Sequence, residues 1–356
     1  MINLYGMEIR KLEALMLSEG QTKYRATQLY TWIYGKKAKT FDEMTDVSLR
    51  FREVLKEKYT LSRPTIHVRQ NAKDGTVKLL LNLEDGSKVE TVLMRYSYGN
   101  VLCVSSQVGC NMGCSFCASG LLKKRRDLKP EEMVGQVLVM NDILESEGNG
   151  EAITHIVVMG TGEPFDNYDN IINFIKIVNN VLDFVRIMNH PKAFAIGARH
   201  ITVSTCGIPD RIRQYANEGL QINLAISLHA PNNEIRSRIM KINRAYPLEE
   251  LIPAVRYYNE VASRRVTFEY ILLAGVNDSL EDADQLAELI KPTFAYVNLI
   301  PYNPVMENGY QRSKDSVVHA FLDRLTKRGV TATVRKEFGT DIDAACGQLR
   351  AKNEQK

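Results

Sequence analysis

From Val101 onward the chain alternates short apolar segments with amphipathic ones of about 10–15 residues, and this alternation limits the fold more than any other feature. Strands are predicted at Val101–Gln107, Thr154–Gly160, His200–Cys206, Ile222–His229, Val266–Leu273, Tyr296–Pro301 and Thr331–Arg335. Helices are predicted at Pro130–Glu147, Tyr168–Asn180, Pro209–Glu218, Leu248–Ala262, Leu280–Ile290 and Lys314–Arg328, with Phe184–Arg199 as an irregular loop. Strands joined by helices make parallel βαβ units with right-handed crossovers. A closed eight-unit barrel takes about 250 residues, so six units in about 240 predict an α/β fold with an open, six-unit partial barrel.

Two smaller regions precede the barrel. Residues 1–63 read as a helical module, with apolar residues at helical spacing in Met7–Met16, Tyr24–Tyr34 and Ser48–Tyr59. Arg25, Lys36, Lys37, Arg50 and Arg52 are interleaved there with Tyr and Trp. Such a module can grip an RNA backbone, or its aromatics can be core and its bases solvated; the pattern leaves both open. Residues 64–96 alternate as strands at Thr65–Arg69, Thr76–Leu83 and Lys88–Arg95, a linking β-sheet with Glu84-Asp-Gly-Ser87 as its last turn. Residues 97–340 are the barrel, and 341–356 a C-terminal segment ending in a polar tail. No run of about 18 apolar residues predicts a membrane span, and no basic-then-apolar leader opens the chain. Six cysteines in 356 residues, three of them clustered, argue against a disulfide scaffold and for the cytoplasm. The net charge of +4 permits an RNA partner without showing one.

The clustered cysteines are Cys110, Cys114 and Cys117, spaced Cys-x3-Cys-x2-Cys directly after the first barrel strand. Soft thiolates suit zinc or an iron–sulfur cluster, and a closed site for either takes four ligands. Three local thiolates on a 4Fe–4S cluster would leave one iron open to a ligand. The other readings are a zinc knuckle with a remote fourth ligand, or three unconnected thiols.

In parallel barrels chemistry gathers where strands end and loops begin. The second strand ends in Met159-Gly-Thr-Gly-Glu163-Pro, the third in Ser204-Thr-Cys-Gly, the fourth in Ser227-Leu228-His229, and the sixth in Tyr302-Asn303. The glycines allow close approach of a ligand, and Glu163 can accept from an ammonium. Cys103 shares a strand face with Val101 and Ser105; on residue type alone Cys103, Cys206 and Cys346 read as small core hydrophobes. Glu90, within a strand, reads as a solvated carboxylate.

Three stretches together resemble the RlmN/Cfr family of radical S-adenosylmethionine (SAM) RNA methyltransferases: Leu102-Cys-Val-Ser-Ser-Gln-Val-Gly-Cys110 through Cys117, Met159–Pro164, and Asp341-Ile-Asp-Ala-Ala-Cys346-Gly-Gln-Leu. The resemblance covers nearly the whole chain, including Tyr24–Ile33 of the N-terminal RNA-binding module. It implies a 4Fe–4S cluster on Cys110, Cys114 and Cys117, with SAM on the open iron. It implies SAM contacts from Gly162, Glu163, Ser204, Ser227, Leu228, His229 and Asn303. In this chemistry one SAM methylates Cys346. A second gives a 5′-deoxyadenosyl radical that takes a hydrogen atom from that methyl, and the methylene radical adds to an adenine carbon. Glu90 is then the proton acceptor, and Cys103 resolves the adduct by forming a disulfide with Cys346.

The resemblance further implies 23S rRNA and tRNA as substrates, a low-potential electron donor such as flavodoxin, and a monomer. The glutamate followed by Pro164 is closer to the RlmN branch, which methylates C2, than to the Cfr branch, which methylates C8 and confers antibiotic resistance. The usual RlmN sequence has Met where this chain has Thr161. Lys123-Lys-Arg-Arg126 is expected to hold phosphates near the barrel mouth. A rival from another class is a zinc-stabilised RNA-binding protein without catalysis, which leaves Glu163, Cys103 and Cys346 without a purpose.

Overall fold

The structure, a computed structural model, describes residues 1–166, 181–342 and 349–350. At the N-terminus β1 (Ile2–Asn3) pairs in parallel with β2 (Tyr59–Thr60) around α1 (Ile9–Ser18), α2 (Lys23–Tyr30) and α3 (Leu49–Lys58). Then follow β3 (Thr65–Asn71), β4 (Val77–Asn82), β5 (Lys88–Tyr96), β6 (Gly99–Val104), β7 (Gln107–Val108), β8 (Arg126–Asp127), α4 (Pro130–Glu147) and β9 (Ile153–Val158). The rest alternates as β10 (Ile201–Thr205), α5 (Pro209–Ala216), β11 (Asn223–Ser227), α6 (Asn233–Ile239), α7 (Leu248–Ala262), β12 (Val266–Leu272), α8 (Leu280–Ile290), β13 (Ala295–Pro301), α9 (Asp315–Lys327) and β14 (Ala332–Val334).

Ten strands form one sheet, in the order β14-β13-β12-β11-β10-β9-β6-β5-β4-β3. From β6 to β14 every neighbouring pair is parallel, the open barrel expected from the alternation. The strands at 65–96 are not a separate sheet: they continue this one as an antiparallel meander, β5 pairing with β6 from Thr91↔Val104 to Tyr96↔Gly99. Helix α4 packs over β6 with Met133, Val134, Val137, Leu138 and Met140 buried. One large core lies between the sheet's outer face and the helices, and a smaller one, Val92, Met94, Val101 and Cys103, lies on the opposite face.

Two expectations for helices and loops change. Residues 181–189 are helical, so the loop expected from Phe184 begins only near His190; buried Val181, Phe184, Val185 and Met188 show the helical spacing. Helix α6 was not expected, because its seven residues carry less than two turns of periodicity; Asn232 caps it by accepting from Ile235 N at 3.0 Å. The helix expected at Tyr168–Asn180 lies outside the described residues.

The N-terminal module sits on α4. A Cβ on Gly6 would meet Glu131 N at 2.7 Å, and one on Gly135 would meet Pro64 Cδ at 2.3 Å, so both contacts need glycine. Arg63 clamps Asp142 with two hydrogen bonds of 3.1 and 2.9 Å. Tyr30 and Tyr34 are core, whereas Tyr24 is 73% exposed and Lys36 lies over the Trp32 ring at 3.4 Å. Tyr30 and Tyr34 thus follow the core reading, while Tyr24 stays exposed.

Candidate active site

The cysteine loop leaves β6 through Ser105–Gln107 and is fastened on three sides. Cys110 N donates to Leu122 O (2.9 Å), Ser115 N to Ile239 O at the end of α6 (2.9 Å), and Ser115 Oγ lies 2.8 Å from the Tyr310 hydroxyl. Gly109 has φ +83°, and a Cβ there would lie 2.1 Å from Lys123 O. That close return holds the loop's two ends together.

The loop after β9 locks against the same strand end. Ser106 N and Gln107 N both donate to Thr161 O (3.0 and 3.1 Å), and Thr161 N donates to Ser105 Oγ (3.0 Å). Gln107 Oε1 accepts from Glu163 N at 2.9 Å. Thr161 is buried, so its side chain is a packing element of this lock.

These loops bound a cavity of about 200 Å³ lined by Cys110, Cys114, Cys117, Gly162, Glu163, Ser204, Ser227 and His229, with Glu269 and Cys206. Eight of the residues expected to form a site from four separate strand ends thus meet in one chamber. Asn303 lines an adjoining cavity of about 480 Å³ that shares Phe116, Cys117, Met159, His229, Ile300 and Arg335 with the first. Leu228 is fully buried; its N–H donates to Glu269 O and its carbonyl accepts from Arg236, so it faces core rather than chamber.

Burial disfavours the anionic forms of the site's acids, so they ionise most readily against a bound cation. Burial pushes the Cys110 thiol up to about 12 and the Cys114 thiol well above its ordinary value, so a metal must displace their protons. Burial likewise raises the Glu163 carboxyl, against hydrogen bonds from Cys206 N (2.6 Å) and Phe165 N (2.8 Å). His229 adopts φ +58°, a costly conformation for a non-glycine residue. It is held there by Asn277, which donates to its carbonyl at 2.8 Å, by Ile271 N on Nδ1 at 3.1 Å, and by Phe116 edge-on at 4.9 Å. Burial and Arg236 lower its pKa to about 3, so it is a neutral imidazole.

Glu90 is not on a solvated face. It is buried beside Lys78 (3.0 Å), itself fully buried, and accepts from Arg350 N at 2.6 Å. The reason is that Lys78 of the neighbouring β4 and Arg350 of the C-terminal segment both close on it. Val92 is directly opposite Cys103, and Glu90 is two residues along the same face, so Glu90 and Cys103 are diagonal neighbours. Cys103 is buried, packed with Val92, Met94 and Val101 against Met159, which lines the chamber. Cys346 lies outside the described residues. Cys206 is core, as its residue type suggested, with Sγ 3.3 Å from Met112 Sδ. Sequence reasoning missed Arg236 and Glu269, which carry no motif: one reads as an exposed helix cation, the other as a strand carboxylate.

Of the basic run, Lys124 pairs with Asp127 (3.0 Å) and Asp166 (3.2 Å), and Arg126 with Asp85 and Glu132 (2.7 Å each). Only Lys123 and Arg125 are exposed.

Among the described residues no three His, Cys, Asp or Glu side chains close tightly enough to chelate a single ion. The cysteines instead stand around a chamber, an arrangement that can hold a larger cluster and a ligand beside it.

Residues 104–290 match the model of the radical SAM superfamily, and residues 2–61 that of the ribosomal RNA large subunit methyltransferase N-terminal domain. A protein of Spiroplasma citri described as a probable dual-specificity RNA methyltransferase RlmN is 53% identical over 99% of both chains. One of the same description from Streptococcus mutans is 52% identical over 98% of this chain and 95% of its own. The crystal structure of a radical SAM methyltransferase from Sphaerobacter thermophilus superposes with a TM-score of 0.89 at 41% identity, covering 98% and 99% of the two chains. The cofactors of this superfamily, a 4Fe–4S cluster and SAM, fit a chamber that offers three thiols on one side and a buried carboxylate on the other. Matched from end to end by these relatives, with both of its domain models in place, the chain belongs to the RlmN family of radical SAM RNA methyltransferases.

Proposed function

We propose that the enzyme methylates C2 of an adenosine in 23S rRNA and in tRNA, carrying the methyl on Cys346. Two SAM molecules are used per product. The dual specificity is the one named for its relatives from S. citri and S. mutans. C2 of adenine is electron-poor and does not attack SAM as an amine would, so the carbon must arrive activated on the enzyme. When bound, the cluster and SAM supply a methyl group and a carbon radical able to take a hydrogen atom.

In this reading Cys110, Cys114 and Cys117 ligate the cluster, and Glu163 accepts from the SAM ammonium. Gly162, Ser204, Ser227, His229 and Asn303 shape the remainder of the SAM site, and Leu228 contributes through its backbone. Glu90 takes the C2 proton from the RNA adduct. Cys103 then attacks the Cys346 sulfur, freeing the RNA and leaving a disulfide that an electron donor such as flavodoxin's class reduces before the next cycle. The protein acts as a monomer in the cytoplasm, and among its described residues no helix is long and apolar enough to cross a membrane.

One observation carries the reading. Glu90 and Cys103 share a buried face of adjacent strands beside the chamber, and Glu90 accepts from Arg350, four residues after Cys346. The test is Cys103→Ala in the reconstituted enzyme with reductant, SAM and unmodified rRNA. The variant is expected to accumulate a covalent protein–RNA species, seen as a shifted band on a denaturing gel and absent in Cys346→Ala. Free methylated RNA at the wild-type rate from Cys103→Ala would refute its role.

A further inference from the structure

Arg236 is fully buried, yet every partner of its guanidinium is neutral. Nε donates to Leu228 O (3.1 Å), Nη1 to Asn243 Oδ1 (2.9 Å), and Nη2 to Cys206 O (2.7 Å) and Ser227 O (3.3 Å). No carboxylate pairs with it among the described residues. Burial lowers its pKa only to about 10, so it remains a cation at neutral pH. A buried charge without a counter-charge is strongly destabilising, and a fold retains one where an anion is to be stabilised.

The site for the anion is close by. Arg236 sits on α6, and Ile239 O at the end of that helix accepts from Ser115 N (2.9 Å), between Cys114 and Cys117. Its carbonyl partners Cys206 and Ser227 both line the chamber. Three thiolates around an iron–sulfur core are a fixed negative charge, and each electron added makes the site more negative. Arg236 lies behind the wall, so it acts through the field and not by contact.

We propose that Arg236 is the buried counter-charge of the cluster site and raises the cluster's reduction potential, making the reduced form accessible to a biological donor. The proposal rests on the cluster being held by Cys110, Cys114 and Cys117. Reduction adds one electron to the cluster, and the donor is the low-potential protein already proposed.

The test is an anaerobic redox titration of reconstituted protein followed by electron paramagnetic resonance, with iron and sulfide counted for each variant. Arg236→Met removes the charge. Asn243→Asp keeps the guanidinium in place but gives it a carboxylate partner. Both are expected to lower the reduced-to-oxidised ratio at fixed potential at least tenfold, equivalent to about 59 mV for a one-electron couple. Arg236→Lys, which keeps the charge, is expected to stay near wild type. A fully loaded Asn243→Asp or Arg236→Met protein with the wild-type potential would overturn the proposal. If neither loads, Arg236→Lys decides: loading at the wild-type potential supports the counter-charge, and failure to load shows a purely structural residue and overturns it. A wild-type protein without a cluster would instead refute the cluster reading itself.

Discussion

At the scale of single residues, the site depends on buried charge. Glu163 is held by two backbone N–H groups, yet burial keeps its carboxyl above the usual range. An ammonium ligand needs the carboxylate form, so SAM affinity is present above the raised pKa and lost as pH falls through it. Equilibrium dialysis of reconstituted protein should show weakening that begins at a higher pH than an ordinary glutamate would give. Glu163→Gln should bind about 10- to 100-fold more weakly, the worth of a charge-assisted hydrogen bond, and with a flatter pH dependence on the acid side. Lys78 and Glu90 make a second test. Lys78→Met leaves a buried carboxylate without its ion-pair partner and should cost about 3–5 kcal/mol in urea unfolding. Lys78→Met with Glu90→Leu should recover most of that stability while leaving the enzyme inactive. A single variant as stable as wild type would show that the pair does not hold the β4–β5 face. Glu90 was readable as functional only through the resemblance, because a carboxylate in a strand gives no sign of which face is covered; the Lys78 partner is twelve residues away and on another strand.

At the scale of elements, the ends of β6 and β9 form a single structure. A Cβ on Gly162, at φ +121°, would lie 2.7 Å from Ser106 Oγ and from Gln107 Cβ. Gly162→Ala should therefore part the two loops. Its thermal unfolding should shift by the equivalent of about 1–3 kcal/mol, with SAM binding lost by more than the stability change explains. Unchanged SAM affinity would mean the lock is not needed. The glycines and Glu163 stood out in the sequence because strand, turn and acid fall in order. The short α6 did not, and neither did Arg236 on it, because its environment comes from the ends of β10 and β11, 8 to 30 residues upstream.

At the scale of the whole molecule, the alternation of strands and helices was enough to read the barrel, but not its joining to the meander. Pairing of β5 with β6 is a matter of which edge is free, and no residue pattern states that. The basic run was legible as charge but not as partnership. Lys124 and Arg126 are committed to carboxylates, which leaves Lys123 and Arg125 for phosphate. Replacing those two with glutamine should weaken RNA binding and reduce its log–log salt slope by about two, with cluster absorbance unchanged. An unchanged slope would move the phosphate contacts elsewhere, with the exposed Tyr24 and Arg50 of the N-terminal module the next residues to test. The central claim is the reaction itself, and one measurement tests it most directly: nucleoside mass spectrometry of unmodified rRNA after anaerobic turnover with methyl-labelled SAM and a reductant. The account predicts labelled 2-methyladenosine that disappears in both Cys346→Ala and Cys103→Ala. Labelled 8-methyladenosine, or a 2-methyladenosine yield indifferent to either cysteine, would contradict it.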